Sequence, residues 1–328
     1  MSKYDAEPLD FEGLKTVDIK ARGGKVRVEH FARPYRRGDG VRGLLESLPK
    51  ILAADDLRAL ASALGQAKAG KRAILWGMGG HVIKCGLAPV LIDLMDRGYV
   101  TGLVMNGSTA IHDFEIAIAG HTSEDVEAVL PDGSFGSAEQ TGREMNIAHA
   151  EAARDSIGAG EALGRKLDEI AEDEFRGQSV LLAAWERSIP VTVHIAAGTD
   201  TPHTHPRAIG SAIGAATHHD FRLFCSLVRG LNEGGAYLNL GSAVILPEVF
   251  LKAVSAVRNL GFPLREFTTA NLDFLQHYRP KVNVVGRPHA DAGGKGFALT
   301  GHHEIMVPLL AAALIELDEE ISREDSPA

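Results

Sequence analysis

The chain has 328 residues, of which 45% are hydrophobic and 23% are charged, and its formal net charge at pH 7 is −9. The length allows one large α/β domain or two smaller ones, and the acidic balance argues against a nucleic-acid partner, which would require a basic face. There is no apolar run of membrane-spanning length and no secretory-signal pattern, and two cysteines, Cys85 and Cys225, imply no disulfide framework. We therefore expect a cytoplasmic protein with neither nucleic-acid nor membrane partners.

Residues 1–40 are polar and irregular and predict an N-terminal arm, followed by a single α/β domain over 41–318 and an acidic tail over 319–328. Within the domain, short apolar runs alternate with segments of helical spacing. The predicted strands are Arg72–Gly77, Thr101–Met105, Val191–Ala196, Gly235–Leu240, Arg265–Ala270 and Val282–Val285. The predicted helices include Asp55–Ala69, Val82–Arg97, Ser211–Val228, Pro247–Leu260 and Ile305–Glu319. This alternation predicts a doubly wound, Rossmann-like, mostly parallel sheet with helices on both faces.

Glycine turns follow four of the predicted strands. The turns are Gly77–Gly80, Asn106–Ser108, Gly198–Asp200 and Gly241–Ala243. Any one of them is equally compatible with a simple tight turn. Four in the same topological position favour a nucleotide or similar anionic cofactor, because ligands of open α/β sheets lie beyond the carboxyl ends of the strands. The segment Gly77–Val82 lacks the last glycine of G-x-G-x-x-G, so this fingerprint alone is weak.

Six blocks of sequence, in a fixed order, carry a resemblance to a known family. The blocks are Gly80–Gly98, Asn106–Glu115, Ile189–Asp200, Leu240–Ala253, Thr268–Asn271 and Arg287–Leu310. Their order and spacing, from roughly residue 40 to residue 315, resemble the deoxyhypusine synthase family and more specifically its divergent synthase-like branch. The resemblance implies a deoxyhypusine synthase-like fold, assembled as a homotetramer with sites across dimer interfaces.

The same resemblance implies an NAD-dependent aminobutyl transfer. NAD oxidises spermidine, an enzyme lysine captures the resulting imine, and the aminobutyl group passes to a protein lysine or a small amine. Lys295 stands at the matching place, between Gly294 and Gly296, and so resembles the imine-forming nucleophile. Such a lysine reacts as the neutral amine, which requires burial or a nearby cation.

Further site residues are implied by the resemblance. The cofactor-binding residues would be Gly79, Gly80, His81, Asn106, Gly107, Ser108, Asp200, Gly241, Ser242, Thr269, Ala270 and His303. With Lys295, the residues that orient amines and move protons would be Asp113, His302 and Glu304. The residues that bind the polyamine-like cation would be His112, Glu248 and Asp291.

The sequence departs from the family pattern in three places. Its Glu-Glu-Asp run is Ile111-His112-Asp113 here, its tryptophan before Gly-Lys is Gly293, and a loop histidine is replaced by Pro247. A polyamine is held by spaced carboxylates with apolar walls between them. The sequence therefore retains the transfer framework and leaves the donor and acceptor amines open.

The fourteen histidines suggest a different function. His203 and His205 form an H-x-H pair, and an extended backbone would turn both imidazoles to one side, as a metal site requires. With His112 and Glu304 expected near the same edge of the sheet, a metal-dependent hydrolase is the main alternative. Histidines that are merely hydrogen-bonded in loops or in the core are the simpler interpretation, because no spacing such as H-E-x-x-H is present.

A third possibility is a non-catalytic polyamine or nucleotide sensor on the same scaffold, which the substituted polyamine residues favour. Cys85 lies inside a helical pattern and is interpreted as a small buried thiol.

Overall fold

Strands and helices alternate along the chain in a computed structural model that describes residues 3–324, with side chains over 3–316. The strands are β1 (Ile74–Met78), β2 (Gly102–Asn106), β3 (Val191–His194), β4 (Ala236–Leu240), β5 (Thr268–Asp273) and β6 (Lys295–Thr300). The α-helices are α1 (Gly40–Ser47), α2 (Leu52–Ala69), α3 (Gly80–Lys84), α4 (Ala88–Asp96), α5 (Gly107–Ala119), α6 (Val126–Val129), α7 (Glu139–Asp155), α8 (Ala159–Ile170), α9 (Val180–Glu186), α10 (Gly210–Arg229), α11 (Ile245–Asn259) and α12 (His303–Glu324). A π-helix spans Pro280–Gly286. The 3-10 helices are Val28–His30, Leu130–Asp132, Arg176–Gln178, Thr201–Thr204 and Arg287–His289.

The strands form one sheet in the order β3-β2-β1-β4-β5-β6, and every neighbouring pair is parallel. This confirms the predicted doubly wound parallel sheet. Because all strands point the same way, the sheet has a carboxyl edge, where the strands end, and an amino edge, where they begin. The strand order reverses between β1 and β4, and open α/β sheets bind ligands outside the carboxyl ends at such a point.

The central strands are buried on both faces, which is why they are continuously apolar. On one face Trp76 packs in a core shared with α2, α5 and α12, and its Nε1 donates to the Tyr99 carbonyl oxygen at 2.8 Å. On the other face Tyr237 packs with α10 and α11 and stacks on Phe250, with ring centroids 4.0 Å apart. Both layers fix the strand ends that carry the candidate site.

The last predicted strand, Val282–Val285, is wrong, because this segment forms the π-helix. Its apolar character serves packing: Val284 is fully buried, and its carbonyl oxygen accepts from Thr269 Oγ1 at 2.7 Å. The sixth strand is instead β6, whose glycine-rich start obscured it. Phe297 and Leu299 are buried while their neighbours are more exposed, the alternation of an edge strand.

Other boundaries also differ from the predictions. The predicted helix Val82–Arg97 is interrupted between α3 and α4, where Gly86 adopts φ +73° and Pro89 follows. Residues 3–39 are almost entirely exposed and contain only a short 3-10 helix. Helix α12 continues to Glu324, and residues 325–328 of the predicted tail lie outside the described residues. No helix within residues 3–324 is both long enough and apolar enough to cross a membrane.

Candidate functional site

The turns after β1 and β4 touch at the point where the strand order reverses. The backbone N of Gly79 donates to the Leu240 carbonyl oxygen at 2.8 Å, and a Cβ at Gly79 would collide with the carbonyl of Gly241. Gly241 itself has φ +65°, a conformation that favours glycine. The two turns can therefore touch only because both positions are glycine. The contact between the turns is made by backbone atoms.

His303 covers this junction from the start of α12. The residue is 3% exposed, and its Nε2 lies 3.0 Å from the Leu272 carbonyl oxygen. A Cβ at Gly241 would lie 2.7 Å from its ring, so the imidazole occupies the space above that turn. The rings of His81 and His303 meet edge to face, with centroids 5.7 Å apart. His303 thus links the ends of β1, β4 and β5.

The end of β2 is equally tightly packed. Asn106 caps α5, because its Oδ1 accepts from the Thr109 N at 2.9 Å. A Cβ at Gly107 would collide with the Asp200 carboxylate, and one at Gly80 with the Ser108 hydroxyl. The predicted cofactor residues of this region are therefore neighbours in space.

A small pocket lies between the ends of β2 and β3. Its volume is about 10 Å³, roughly one water-sized sphere, and His149, Asp200 and His203 line it. Both ring nitrogens of His149 and Oδ2 of Asp200 lack a hydrogen-bond partner among the described residues. Burial, with a smaller contribution from His203, lowers the pKa of His149 to about 4, while burial raises the pKa of Asp200. His149 is therefore neutral at pH 7.

A second polar group forms where α3 and α12 approach one another. Ligand atoms of His81, Cys85 and Glu304 all lie within 4.8 Å of one another, and we call these residues the His–Cys–Glu cluster. The Cys85 Sγ lies 3.6 Å from Oε2 of Glu304, and His302 Nδ1 lies 3.8 Å from its Oε1. Burial and then Glu304 raise the pKa of the Cys85 thiol, so in this arrangement it is not an activated thiolate.

Many of the predicted site residues come together at the carboxyl edge. They are Gly79, Gly80, His81, Asn106, Gly107, Ser108, Asp200, Gly241, Ser242, His302, His303 and Glu304. The predicted substrate residues His112 and Glu248 already have partners. His112 Nδ1 lies 2.7 Å from Thr122 Oγ1, and burial and then Lys84 lower its pKa to about 4. Glu248 pairs with Lys252 at 2.6 Å and with Arg279 at 3.3 Å, so its charge is already balanced.

Asp113 lies on α5, and the structure gives its side chain a packing role instead of the predicted catalytic one. Its carboxylate is fully buried and caps α9, accepting from Ser179 Oγ at 2.6 Å, Val180 N at 2.8 Å and Leu181 N at 2.9 Å. All three donors belong to the same chain. The carboxylate therefore holds α9 to α5 and has no open side for a substrate.

Lys295 is separated from the cofactor turns. It is the first residue of β6 and pairs in register with Thr268, the first residue of β5, so it lies at the amino edge. Five strand steps of about 3.3 Å place it about 16 Å from the carboxyl edge. Its side chain is 59% exposed, and its Nζ lies 3.3 Å from Asp56 Oδ1, an ordinary surface ion pair. One chain does not bring Lys295 into a cleft with the cofactor residues.

The glycines beside Lys295 have a structural explanation. A Cβ at Gly296 would collide with the Val285 carbonyl oxygen, and one at Gly294 with the Phe267 carbonyl oxygen. Gly294 also has φ +82°. The absence of side chains at Gly294 and Gly296 allows the π-helix and β5 to pack close to β6. These glycines therefore do not form an opening for a substrate.

Three more predicted residues lie away from the carboxyl edge. Thr269 and Ala270 are fully buried in the first half of β5, and Thr269 Oγ1 is engaged with Val284 and His289. They therefore cannot contact an adenosine at the carboxyl edge. Asp291 lines an open cavity of about 740 Å³ at the amino edge, with Arg258 and Arg265.

The His203–His205 pair does not converge on one point. His203 Nδ1 accepts from Gly198 N at 3.1 Å, whereas His205 Nε2 lies 3.2 Å from Glu139 Oε2. The ligand atoms that do converge belong to His81, Cys85 and Glu304. Sequence analysis assigned no metal role to His81 or Cys85. Their four-residue spacing on a helix was the available signal, but the third ligand lies 219 positions away from Cys85.

Comparison with known proteins identifies the fold. No family model matches the chain, and no curated protein matches it. Among solved structures, "a putative deoxyhypusine synthase from Entamoeba histolytica" is 10% identical with a TM-score of 0.50, covering 87% of this chain and 96% of that one. Unliganded AgrE is 18% identical with a TM-score of 0.51, and the ternary complex of AgrE with ornithine and NAD+ is 15% identical with a TM-score of 0.50.

Each AgrE match covers 80% of this chain, whereas the chain spans about a third of the length of AgrE, 32% and 33% in the two structures. At identities this low the likeness concerns the fold alone. It shows that the chain has an α/β fold like those of a protein named as a deoxyhypusine synthase and of part of AgrE.

Proposed function

We propose that the chain is an NAD-dependent enzyme that binds the dinucleotide along the carboxyl edge of β1 and β4. The strand order β3-β2-β1-β4-β5-β6 carries the proposal, because dinucleotides bind where this order reverses. At that point Gly79 and Gly241 bring the backbones of the two turns into contact, beneath the His303 imidazole. The fold likeness to AgrE, which was solved with NAD+, supports the same cofactor.

The resemblance to deoxyhypusine synthase suggests the reaction class, oxidation of an amine to an imine with transfer of hydride to the nicotinamide. His302 lies at the same edge, and its side chain is 56% exposed, so it can orient an amine and accept its proton. An imine on Lys295 would require the lysine of a second copy, since that of the same chain is about 16 Å away. We propose aminoalkyl transfer only in that form, across a subunit interface.

The proposed site can be tested at Val244, an exposed residue directly after the glycine turn that follows β4. The Val244→Glu variant would place a carboxylate beside the dinucleotide phosphates, and like-charge repulsion should weaken NAD+ binding by about tenfold or more. The matched control is Val126→Glu, the same change at another exposed valine, which should bind NAD+ like the wild type. Isothermal titration calorimetry measures all three affinities. Equal weakening in both variants, or in neither, would contradict an NAD+ site at the carboxyl edge of β4.

A further inference from the structure

The His–Cys–Glu cluster combines three kinds of metal ligand at one point of the molecule. An imidazole, a thiol and a carboxylate have their ligand atoms within 4.8 Å of one another. Cys85 and Glu304 contact each other, whereas the His81 imidazole forms no hydrogen bond with a described residue. The three side chains therefore do not form a closed hydrogen-bond network. We infer that His81, Cys85 and Glu304 form a zinc site, a feature beyond the proposed dinucleotide site.

The donor set and its dimensions suit zinc. Zinc accepts sulfur, nitrogen and oxygen ligands at about 2.0–2.3 Å, which at tetrahedral angles places neighbouring ligand atoms about 3.3–3.8 Å apart. The Cys85 Sγ and Glu304 Oε2 already lie at 3.6 Å. His81 is exposed and the Glu304 side chain is 49% exposed, so modest rotations of these two side chains can close the remaining distance.

The backbone holds the ligands on structured elements. Cys85 directly follows α3, and its N donates to the His81 carbonyl oxygen at 2.9 Å, so the two residues lie one helical turn apart on the same side. Glu304 is in the first turn of α12, and His302 approaches its second carboxylate oxygen at 3.8 Å. Outer contacts of this kind orient ligating carboxylates in metal sites.

Three protein ligands leave a fourth zinc position open. Catalytic zinc sites have this composition, with water or substrate in the fourth position, whereas structural sites use four protein ligands. At this position zinc would polarise a substrate oxygen or activate a water at the same edge of the sheet that carries the β1–β4 junction. Zinc binding itself needs no dinucleotide, so it can be tested separately.

The experiment uses the full chain without a histidine tag, treated with a chelator and titrated with ZnCl2 or CoCl2. The wild type should bind one equivalent of zinc, and bound Co2+ should show a thiolate-to-metal charge-transfer band. Cys85→Ser should abolish that band, and Glu304→Gln should weaken zinc binding by at least about tenfold. The control Cys225→Ser changes the other free cysteine, which is similarly half-buried, and should retain both properties.

Zinc should also protect Cys85, but not Cys225, from a maleimide in the wild-type protein, a readout that needs no variant. The inference is overturned if the wild type binds no stoichiometric zinc. It is also overturned if Cys85→Ser retains the charge-transfer band, or if zinc protects both thiols equally. A wild-type protein that binds zinc but not NAD+ would contradict the proposed function and leave the metal site intact.

Discussion

Asp113→Ala should destabilise the protein by about 3 kcal/mol or more, the largest effect of a single substitution that we expect. The change leaves the Ser179 hydroxyl and the Val180 and Leu181 backbone N–H groups without their acceptor inside the core. An unsatisfied buried donor costs about 1–3 kcal/mol, and hydrogen bonds to an ionised group are the stronger ones. Burial raises the pKa of Asp113 to about 6 against the effect of these donors, so the carboxylate is mostly charged at pH 7.

Urea unfolding measures this loss, and Asp125→Ala is the matched control. Asp125 also caps a helix, accepting from Ala128 N, but it is exposed, so its removal should cost only about 1 kcal/mol. A wild-type midpoint for Asp113→Ala would contradict the packing role and return Asp113 to the list of catalytic candidates.

The His149→Gln variant should remove an acid-sensitive contribution to stability of about 3 kcal/mol. Burial holds the folded pKa of His149 near 4, below the 6.5 of an unfolded histidine. As pH falls from 7 to 4, His149 becomes protonated in the unfolded chain but stays largely neutral in the folded chain. The part of the free energy of unfolding that is present above pH 6.5 is therefore lost. The stability of the wild type relative to His149→Gln should therefore decline by about 3 kcal/mol over that range.

Urea unfolding at several pH values gives this difference directly. The raised pKa of Asp200, lining the same pocket, acts in the opposite direction, but it is present in both proteins and largely cancels. His218→Gln, at an exposed position of α10, should show no such trend. Parallel pH profiles for wild type and His149→Gln would mean that His149 is not held neutral in the fold.

Much of the fold could be predicted because burial leaves a direct mark on the sequence. Strands such as Leu103–Met105 are buried on both faces and are therefore apolar throughout. β6 was not predicted because it is an edge strand with glycines immediately before it and at its second position. The segment Val282–Val285 was predicted as a strand because a buried π-helix selects the same residues as a strand. Composition alone does not separate these two environments.

The candidate site was harder to predict, because the sequence does not show what packs against a glycine. Gly79 and Gly241 follow strands, as predicted, and they meet at the β1–β4 junction, whereas Gly294 and Gly296 make room for backbone at the opposite edge. That difference depends on strand direction and on the π-helix, which the residues around Lys295 do not reveal.

Hydrogen–deuterium exchange with and without NAD+ locates the dinucleotide site on the unmodified chain, because one experiment samples both edges of the sheet. We expect NAD+ to slow exchange in peptides covering 79–86 and 241–246 and to leave 291–297, around Lys295, unchanged. Protection confined to 291–297, with none at the β1 and β4 turns, would contradict a dinucleotide site at the carboxyl edge.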